Sequence, residues 1–250
     1  MSPSFAEIAP RYDALRPLST GDRARLGAML READLQAGDL VVEVGCGTGR
    51  LTLPLAAVTP ARVMGVDSEA KMLDVARAKD GAGRVEWVRG SAYRLPVGDG
   101  EAALVLMVMV VHLLRQRVRA FSEMRRVLRQ GGRLSVWTFT PRHVEDFYLN
   151  AYFPSIAAID RPRFPSVQTL TSELGRAGFE DIRVEVRDEP RRIDIAEVVD
   201  RVRGRYISTL SLLPPLEYRL GLQRLEEMLA QDRSAMLTQR SEWAIFTART

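Results

Sequence analysis

Apolar residues in the first 139 positions form five short runs, and the segments between them have the spacing of helices. A nearly continuous apolar run is typical of a strand buried on both faces, as in a parallel sheet covered by helices on each side. The alternation of strand and helix predicts an α/β fold with a doubly wound, mostly parallel sheet. The expected strands lie at 41–44, 62–67, 85–92, 103–109 and 133–139.

The pattern changes after position 139. Residues 140–165 are rich in aromatic residues and predict a helix over about Val144 to Ile159, followed by a loop. Residues 166–187 predict a helix and a sixth strand at Asp181–Val186, residues 188–240 are mostly helical, and residues 241–250 form a last strand. The expected core is therefore 1–139, 166–187 and 241–250, with a cap formed by the insertions 140–165 and 188–240.

The first strand ends in glycines at alternate positions, Gly45, Gly47 and Gly49, separated by Cys46 and Thr48. Glycine lets the backbone adopt positive φ and approach a ligand closely, and the helix that follows directs free N–H groups at the turn. A dinucleotide fingerprint places its third glycine where this chain has Arg50. A glycine turn without a ligand is the alternative.

The second strand ends in a carboxylate, Asp67, about 20 residues after the glycines. An acidic residue at this distance accepts hydrogen bonds from ribose hydroxyls in nucleotide-binding βαβ units. We therefore expect Asp67 to bind a ribose. A helix N-cap is the alternative role, because a helix begins at about Ser68.

Three segments resemble the class I S-adenosylmethionine-dependent methyltransferases, in particular those that act on small molecules. Glu43 and the three glycines match the E-x-G-x-G-x-G motif, and residues 126–134 (RVLRQGGRL) resemble the R-V-L-x-P-G-G-x-L stretch before strand five. Residues 5–13 resemble the N-terminal lid. The resemblance implies a Rossmann-like sheet of seven strands, with the last strand antiparallel to strand six, and S-adenosylmethionine as cofactor, released as S-adenosylhomocysteine.

The same resemblance implies the cofactor-binding residues. Two positions depart from the family pattern, since Ser91 and Ala103 stand where aspartates are common, which places the adenine contacts in doubt. Tyr12 of the lid is expected to close over the methionine part, although packing is an equal alternative. The remaining expected cofactor residues are Glu43, Gly45, Cys46, Gly47, Thr48, Gly49, Asp67, Ser68, Met72, Ala92 and Val110.

The acceptor end of the site is expected beyond the carboxyl ends of the strands, where the aromatic insertion begins. Tyr148, Tyr152 and Phe153 are the candidate substrate-binding residues. His112, at the end of strand four, is the first candidate general base, and His143 is the second. A structural histidine is the alternative for His112, and an anionic acceptor would suit the arginines of the cap, which are Arg142, Arg161, Arg163, Arg191 and Arg192.

Composition further restricts the class of protein and the partners that we expect. The chain has 250 residues, 46% of them hydrophobic, a net charge of +4 and one cysteine, and it shows no N-terminal signal. These features predict a cytoplasmic enzyme without a membrane span, a disulfide or a metal centre. A homodimer is compatible with them. The basic residues are not interleaved with exposed aromatics, so we expect no nucleic-acid partner.

The sequence therefore predicts methyl transfer from S-adenosylmethionine to a small-molecule substrate by in-line displacement. An NAD-dependent oxidoreductase with a similar sheet is the first alternative, disfavoured by Arg50 and by the absence of a Tyr-x-x-x-Lys pair. A protein that keeps the fold and binds the cofactor without catalysis is the second.

Overall fold

The computed structural model describes residues 5–250. Among these residues, no helix is both long enough and apolar enough to cross a bilayer. The strands are β1 (Leu40–Val44), β2 (Arg62–Asp67), β3 (Val85–Arg89), β4 (Ala102–Val108), β5 (Leu128–Phe139), β6 (Glu180–Asp194) and β7 (Met236–Arg249). The helices are α1 (Tyr12–Leu15), α2 (Thr20–Ala33), α3 (Thr52–Val58), α4 (Ala70–Lys79), α5 (Arg117–Val127), α6 (Pro141–Glu145), α7 (Ser155–Asp160), α8 (Val167–Arg176), α9 (Ile195–Arg203) and α10 (Pro215–Gln231), with short 3₁₀ turns between some of them.

The seven strands form one sheet in the order β3-β2-β1-β4-β5-β7-β6. The first five strands are parallel, and β7 lies antiparallel between β5 and β6. This arrangement confirms the predicted Rossmann-like sheet and the antiparallel last strand. The order in which successive strands are added to the sheet reverses between β1 and β4, and ligands bind at such a point in open α/β sheets.

The apolar runs of the central strands supply both faces of the sheet. Val41 packs against α2 and α3 on one face, whereas the neighbouring Val42 and Val44 pack on the opposite face with α5 and α8. Successive side chains of a strand point to opposite faces, so a strand covered on both sides has no polar positions. This accounts for the continuous apolar runs.

The last two strands are longer than the sequence predicted. The predicted strand Asp181–Val186 continues to Asp194, and the last strand begins at Met236 instead of position 242. Pairing of β7 with β5 ends at Trp243, so residues 188–194 and 236–242 form a two-stranded ribbon beyond the sheet. The helical part of the second insertion is therefore limited to residues 195–231.

The cap consists of residues 140–165 and 195–231. The single helix predicted over about Val144 to Ile159 is wrong, because α6 and α7 are separated by a 3₁₀ turn at Tyr148–Ala151 and by Pro154. The cap has its own apolar cluster, to which Ile193 of the ribbon contributes. The ribbon is therefore packed into the cap as well as joined to the sheet.

Two helical glycines provide a matched test of this packing. A Cβ on Gly221 of α10 would lie 2.2 Å from the Phe153 ring, whereas a Cβ on Gly175 of α8 would meet nothing within 4 Å. Replacing glycine by alanine in a helix stabilises by roughly 0.5–1 kcal/mol, but overpacking costs about 1–3 kcal/mol. In urea unfolding we expect Gly175→Ala to be more stable than the parent and Gly221→Ala less stable. Equal effects would contradict the packing of α10.

Candidate functional site

The turn after β1 has three glycines with positive φ. Gly45, Gly47 and Gly49 have φ of 76°, 55° and 72°, values that strongly favour glycine. A Cβ on Gly45 would lie 2.3 Å from Val110, and one on Gly49 would lie 2.4 Å from the Trp87 ring, whereas one on Gly47 would meet nothing within 4 Å. The outer glycines are required by packing, and Gly47 faces open space where a ligand can reach the backbone.

Asp67, at the end of β2, is hydrogen-bonded to this turn. Its Oδ2 accepts from the Gly47 amide at 2.8 Å, and its Oδ1 accepts from the Glu69 amide at 2.8 Å. Burial raises the pKa of Asp67, while these amides and that of Ser68 oppose the rise. The N-cap of α4 is Glu69, so Asp67 is not the cap, and its carboxylate instead holds the backbone on both sides of the open space at Gly47.

Glu43 lies beneath the turn. Its side chain is buried, and its Oε2 accepts a 2.6 Å hydrogen bond from the hydroxyl of Thr52, the first residue of α3. Burial raises the pKa of Glu43 to about 7, against the opposing effects of Thr52 and the Arg50 guanidinium. Glu43 therefore links the strand to the helix on the far side of the glycine turn.

Four of the other predicted cofactor residues lie in different environments. Cys46 is buried, and burial raises the pKa of its thiol, which therefore packs as a small neutral group. Met72 is buried on α4, and Ala92 packs against the core. The Ser91 hydroxyl accepts a 3.2 Å hydrogen bond from the Tyr93 amide, so it partly satisfies the local backbone.

The N-terminal segment is fastened to the turn by Asp13. Its carboxylate accepts hydrogen bonds from the Thr48 hydroxyl and from the Lys79 ammonium group. The preceding residue, Tyr12, contacts the Phe5 ring edge-on, with the ring centroids 6.3 Å apart. Tyr12 also lines the cavity described next, so it lies at the border between turn and cavity.

A cavity of about 560 Å³ lies between the carboxyl ends of β4 and β5 and the cap. Met109 lines it, and the next residue, Val110, packs against Gly45, so the cavity adjoins the glycine turn. Its wall combines aromatic side chains with charged and polar ones, and the ribbon closes one side. The aromatic lining residues, besides two histidines, are Phe5, Tyr12, Phe139, Phe147, Phe164, Tyr206 and Trp243.

Both candidate histidines line this cavity. His112 stacks on Phe164 with ring centroids 4.5 Å apart, and its enclosed Nδ1 has no partner within residues 5–250. His143 stacks on Phe139 at 3.8 Å, and its Nδ1 lies 3.1 Å from the Arg240 carbonyl. A carbonyl only accepts, so Nδ1–H is the donor and Nε2 of His143 has a free lone pair.

Burial keeps both histidines neutral at pH 7. It lowers the pKa of His112 to about 3, with further lowering by the guanidinium groups of Arg163 and Arg16. Burial also lowers the pKa of His143 to about 4, against the opposing effect of the Arg240 carbonyl. Neutral rings of this kind accept hydrogen bonds from a bound molecule, but they are weak bases.

The three predicted substrate-binding residues do not line the cavity. Phe153 is fully buried in the cap, and the Tyr152 hydroxyl donates to the sulfur of Met228 at 3.7 Å. Tyr148 lies behind the wall, with its hydroxyl 3.1 Å from that of Tyr206. The residues of the same insertion that line the cavity are His143, Val144, Phe147, Ile156, Asp160 and Phe164.

The sequence did not predict an ion-pair network in the cavity wall. Arg25 pairs with Asp22 at 2.8 Å and with Glu189 of the ribbon, and its guanidinium carbon lies 4.3 Å from the centre of the Trp243 ring. Arg50 also pairs with Asp22, at 3.1 Å. The network joins α2 to the ribbon, and no local sequence signal links α2 to Arg50 or Glu189, because both lie far from α2 in the chain.

The low pKa of His112 makes stability depend on pH. An unfolded chain protonates histidine near pH 6.5, whereas the folded protein does so only near pH 3. Between these values the unfolded state binds more protons, so stability is complete above about pH 6.5 and falls as the pH decreases, by about 2 kcal/mol at pH 5. We expect His112→Phe, which also removes the unpaired Nδ1, to lose less stability than the parent between about pH 7.5 and about pH 5 in urea unfolding. An identical pH dependence in both proteins would contradict this.

Comparisons with known proteins identify the family. A family model described as a methyltransferase domain matches residues 41–132, which include the glycine turn and Asp67. Among solved structures, phosphoethanolamine N-methyltransferase 2 of Haemonchus contortus in complex with S-adenosyl-L-methionine is similar in fold, with a TM-score of 0.64 at 18% identity, covering 98% of this chain and 57% of that one.

The curated relatives include several named ubiquinone/menaquinone biosynthesis C-methyltransferase UbiE. The relative from Rubrivivax gelatinosus is 30% identical over 199 residues, which cover 72% of this chain and 78% of the relative. The relative from Geobacter sp. (strain M21) is 29% identical over 205 residues, which cover 72% of this chain and 87% of the relative. With the glycine turn, Asp67 and the sheet order, these findings show that the chain belongs to the class I S-adenosylmethionine-dependent methyltransferases, with S-adenosylmethionine as its cofactor.

Proposed function

We propose that this methyltransferase transfers a methyl group, by in-line displacement, to a small organic molecule bound in the cavity. The observation that supports this most directly is the size and position of that cavity, which has about 560 Å³ and adjoins the glycine turn at Met109. Pockets of about 300–1,000 Å³ bind molecules of drug size. The cap covers the cavity, which favours a small acceptor over a nucleic acid.

The residues around the turn fit the cofactor. Gly47 leaves the backbone open to an approaching ligand, and Asp67 presents a carboxylate beside it, suited to ribose hydroxyls. Tyr12 is placed to cover the end nearest the cavity. When bound, S-adenosylmethionine supplies a methyl group on a positively charged sulfur and leaves as neutral S-adenosylhomocysteine.

The protein's own part is to orient the acceptor and exclude water from the cavity. The aromatic wall provides a dry surface, which strengthens the polar interactions made inside it. The Nε2 of His143 is placed to accept a hydrogen bond from an O–H or N–H of the acceptor, and His112 lies where the chain leaves β4. We propose these two histidines as the groups that hold or receive the acceptor's proton.

An aromatic acceptor agrees best with the lining of the cavity. Phe139, Phe164 and Trp243 present ring surfaces against which another ring can stack. The names of the UbiE relatives describe C-methylation in quinone biosynthesis, which is chemistry on a ring. We therefore place this chain's acceptor among small aromatic compounds, without choosing carbon, oxygen or nitrogen as the methylated atom.

An acceptor screen with S-adenosylmethionine labelled on the methyl group tests this proposal. We expect label in small aromatic compounds and in no macromolecule, and NMR of a ¹³C-methyl product identifies the methylated atom. Transfer of label to RNA or protein alone would contradict a small acceptor. Tight binding of S-adenosylhomocysteine without transfer to any acceptor would favour a protein that has lost catalysis.

Asp67→Ala tests the cofactor site separately. Loss of a charged hydrogen-bond acceptor costs about 1.5–3 kcal/mol, so we expect the affinity for S-adenosylhomocysteine to fall by roughly tenfold to a hundredfold in calorimetry. Asp74→Ala is the matched control, because Asp74 is exposed on α4, where it pairs with Arg77 of the same helix. Equal affinities for the two variants would exclude Asp67 from the cofactor site.

A further inference from the structure

The arginines that the sequence suggested as ligands for an anionic acceptor are already occupied, with one exception. Carboxylates of the protein pair with four of them, and the exception, Arg192, is exposed on the outer strand of the ribbon. A guanidinium that has a carboxylate to itself has little attraction left for a ligand, and Arg191, which shares Glu197 with Arg201, is exposed. The pairs are Arg142 with Asp146, Arg161 with Glu145, Arg163 with Asp160, and Arg191 with Glu197.

Arg16 differs from these arginines. It lines the cavity, it is half-buried, and it forms no ion pair within residues 5–250. Its guanidinium carbon lies 5.9 Å from the centre of the Tyr12 ring. Arg16 is therefore a cation at the cavity wall whose charge no carboxylate of the described chain balances.

Arg201 of α9 supplies a second cation with an incomplete set of partners. Its side chain is 8% exposed and lines the same cavity. It pairs with Glu197 at 2.5 Å, but Glu197 also pairs with Arg191 at 2.8 Å, so one carboxylate serves two guanidinium groups. The Nε of Arg201 is enclosed and has no hydrogen-bond partner within residues 5–250.

These two cations converge near Tyr206, which also lines the cavity. The guanidinium carbon of Arg201 lies 5.6 Å from the centre of the Tyr206 ring. The segment that carries Arg16 packs on the helix that carries Arg201, since Leu15 lies against Gly204 at the end of α9 and Arg11 pairs with Asp200 of α9 at 3.0 Å. Burial raises the pKa of Tyr206, and both Arg201 and Arg16 oppose this rise, which agrees with that placement.

The carboxylates of the cavity wall do not neutralise this region. Each has its own cation, so none is free to turn toward Arg16. Burying a charge without a partner is costly, and a ligand that brings the missing negative charge offsets that cost. The pairs are Asp22 with Arg25 and Arg50, Asp160 with Arg163, Asp188 with Arg240, and Glu189 with Arg25.

We propose that Arg16 and Arg201 form an anion subsite that binds a carboxylate group on the methyl acceptor. The inference rests on the proposed function, because it assigns this cavity to the acceptor. A guanidinium binds a carboxylate through two parallel hydrogen bonds, which fixes orientation as well as position. The acceptor is thus an aromatic acid whose ring lies among the cavity's aromatic side chains and whose carboxylate points toward Tyr206.

Binding of an isosteric pair, cinnamate and cinnamamide, to the protein saturated with S-adenosylhomocysteine tests the subsite without requiring turnover. The parent protein is expected to prefer the acid over the amide by roughly tenfold or more. Arg16→Gln and Arg201→Gln should each remove most of this preference and leave amide binding unchanged. Arg192→Gln is the matched control, because Arg192 is exposed and forms no ion pair within residues 5–250, and it should keep the preference.

Two controls separate a local effect from a folding defect. Affinity for S-adenosylhomocysteine and the urea midpoint report whether each variant folds, and Arg16→Lys should restore part of the preference by restoring the charge. Arg16→Gln is the decisive variant, because it breaks no ion pair. A parent protein without preference for the acid, or with binding of neither compound, would overturn the proposal, as would a preference that survives in both glutamine variants.

The cofactor carries a carboxylate too, and a further comparison distinguishes that source. If Arg16 binds the cofactor, Arg16→Gln should weaken the binding of S-adenosylhomocysteine but not that of 5′-methylthioadenosine, which lacks the amino-acid part. This result would overturn the proposed role of Arg16 in binding the acceptor. Failure of the proposed function gives a different result. The protein would then prefer the acid in an Arg16-dependent way in the binding assay, but it would methylate no small molecule in the acceptor screen.

Discussion

The chain can turn from β1 into α3 only because β2 supplies acceptors for the amides of the turn. The amides of Gly45 and Cys46 donate to the Val66 carbonyl at 2.7 Å and 3.1 Å, and the Gly47 amide donates to Asp67. Parallel pairing in register brings the end of β2 beside the turn. The positive φ values of the glycines are thus maintained by the protein itself, so the cofactor meets a backbone already arranged to receive it.

The cavity depends on a second constraint, the length of the β6–β7 hairpin. If β6 and β7 extended no further than their pairing with β5, the ribbon would be missing. The helices of the cap would then lose this connection to the sheet. Instead, Ile193 is buried in the cap cluster, and Glu189 is paired with Arg25 of α2. The ribbon therefore holds the cap over the carboxyl ends of the parallel strands and leaves the enclosed space beneath it.

The sequence predicted the core of this fold more accurately than the cap. Buried strands and capped helices leave local signals, as at Ser166, whose hydroxyl accepts from the Thr169 amide at the start of α8. Charged residues and Pro190 concealed the continuation of β6, yet an edge strand tolerates both because only one side is paired. In the turn around Tyr148, adjacent side chains face different ways. Phe147 therefore lines the cavity, whereas the expected residue, Tyr148, does not. Contacts between distant segments, such as the ion pair between Arg25 and Glu189, leave no local pattern.

The proposed role of the histidines and the proposed anion subsite together bear on how a weakly basic histidine can take part in methyl transfer. Arg16 is one of the causes that lower the pKa of both His112 and His143. A carboxylate bound to Arg16 would balance its charge and thereby raise the pKa of both rings. The histidines would then be stronger bases than they are without the acceptor, although burial, the larger cause of their low pKa values, keeps both rings neutral at pH 7. The arginine that orients the acceptor would thus also couple its binding to proton acceptance.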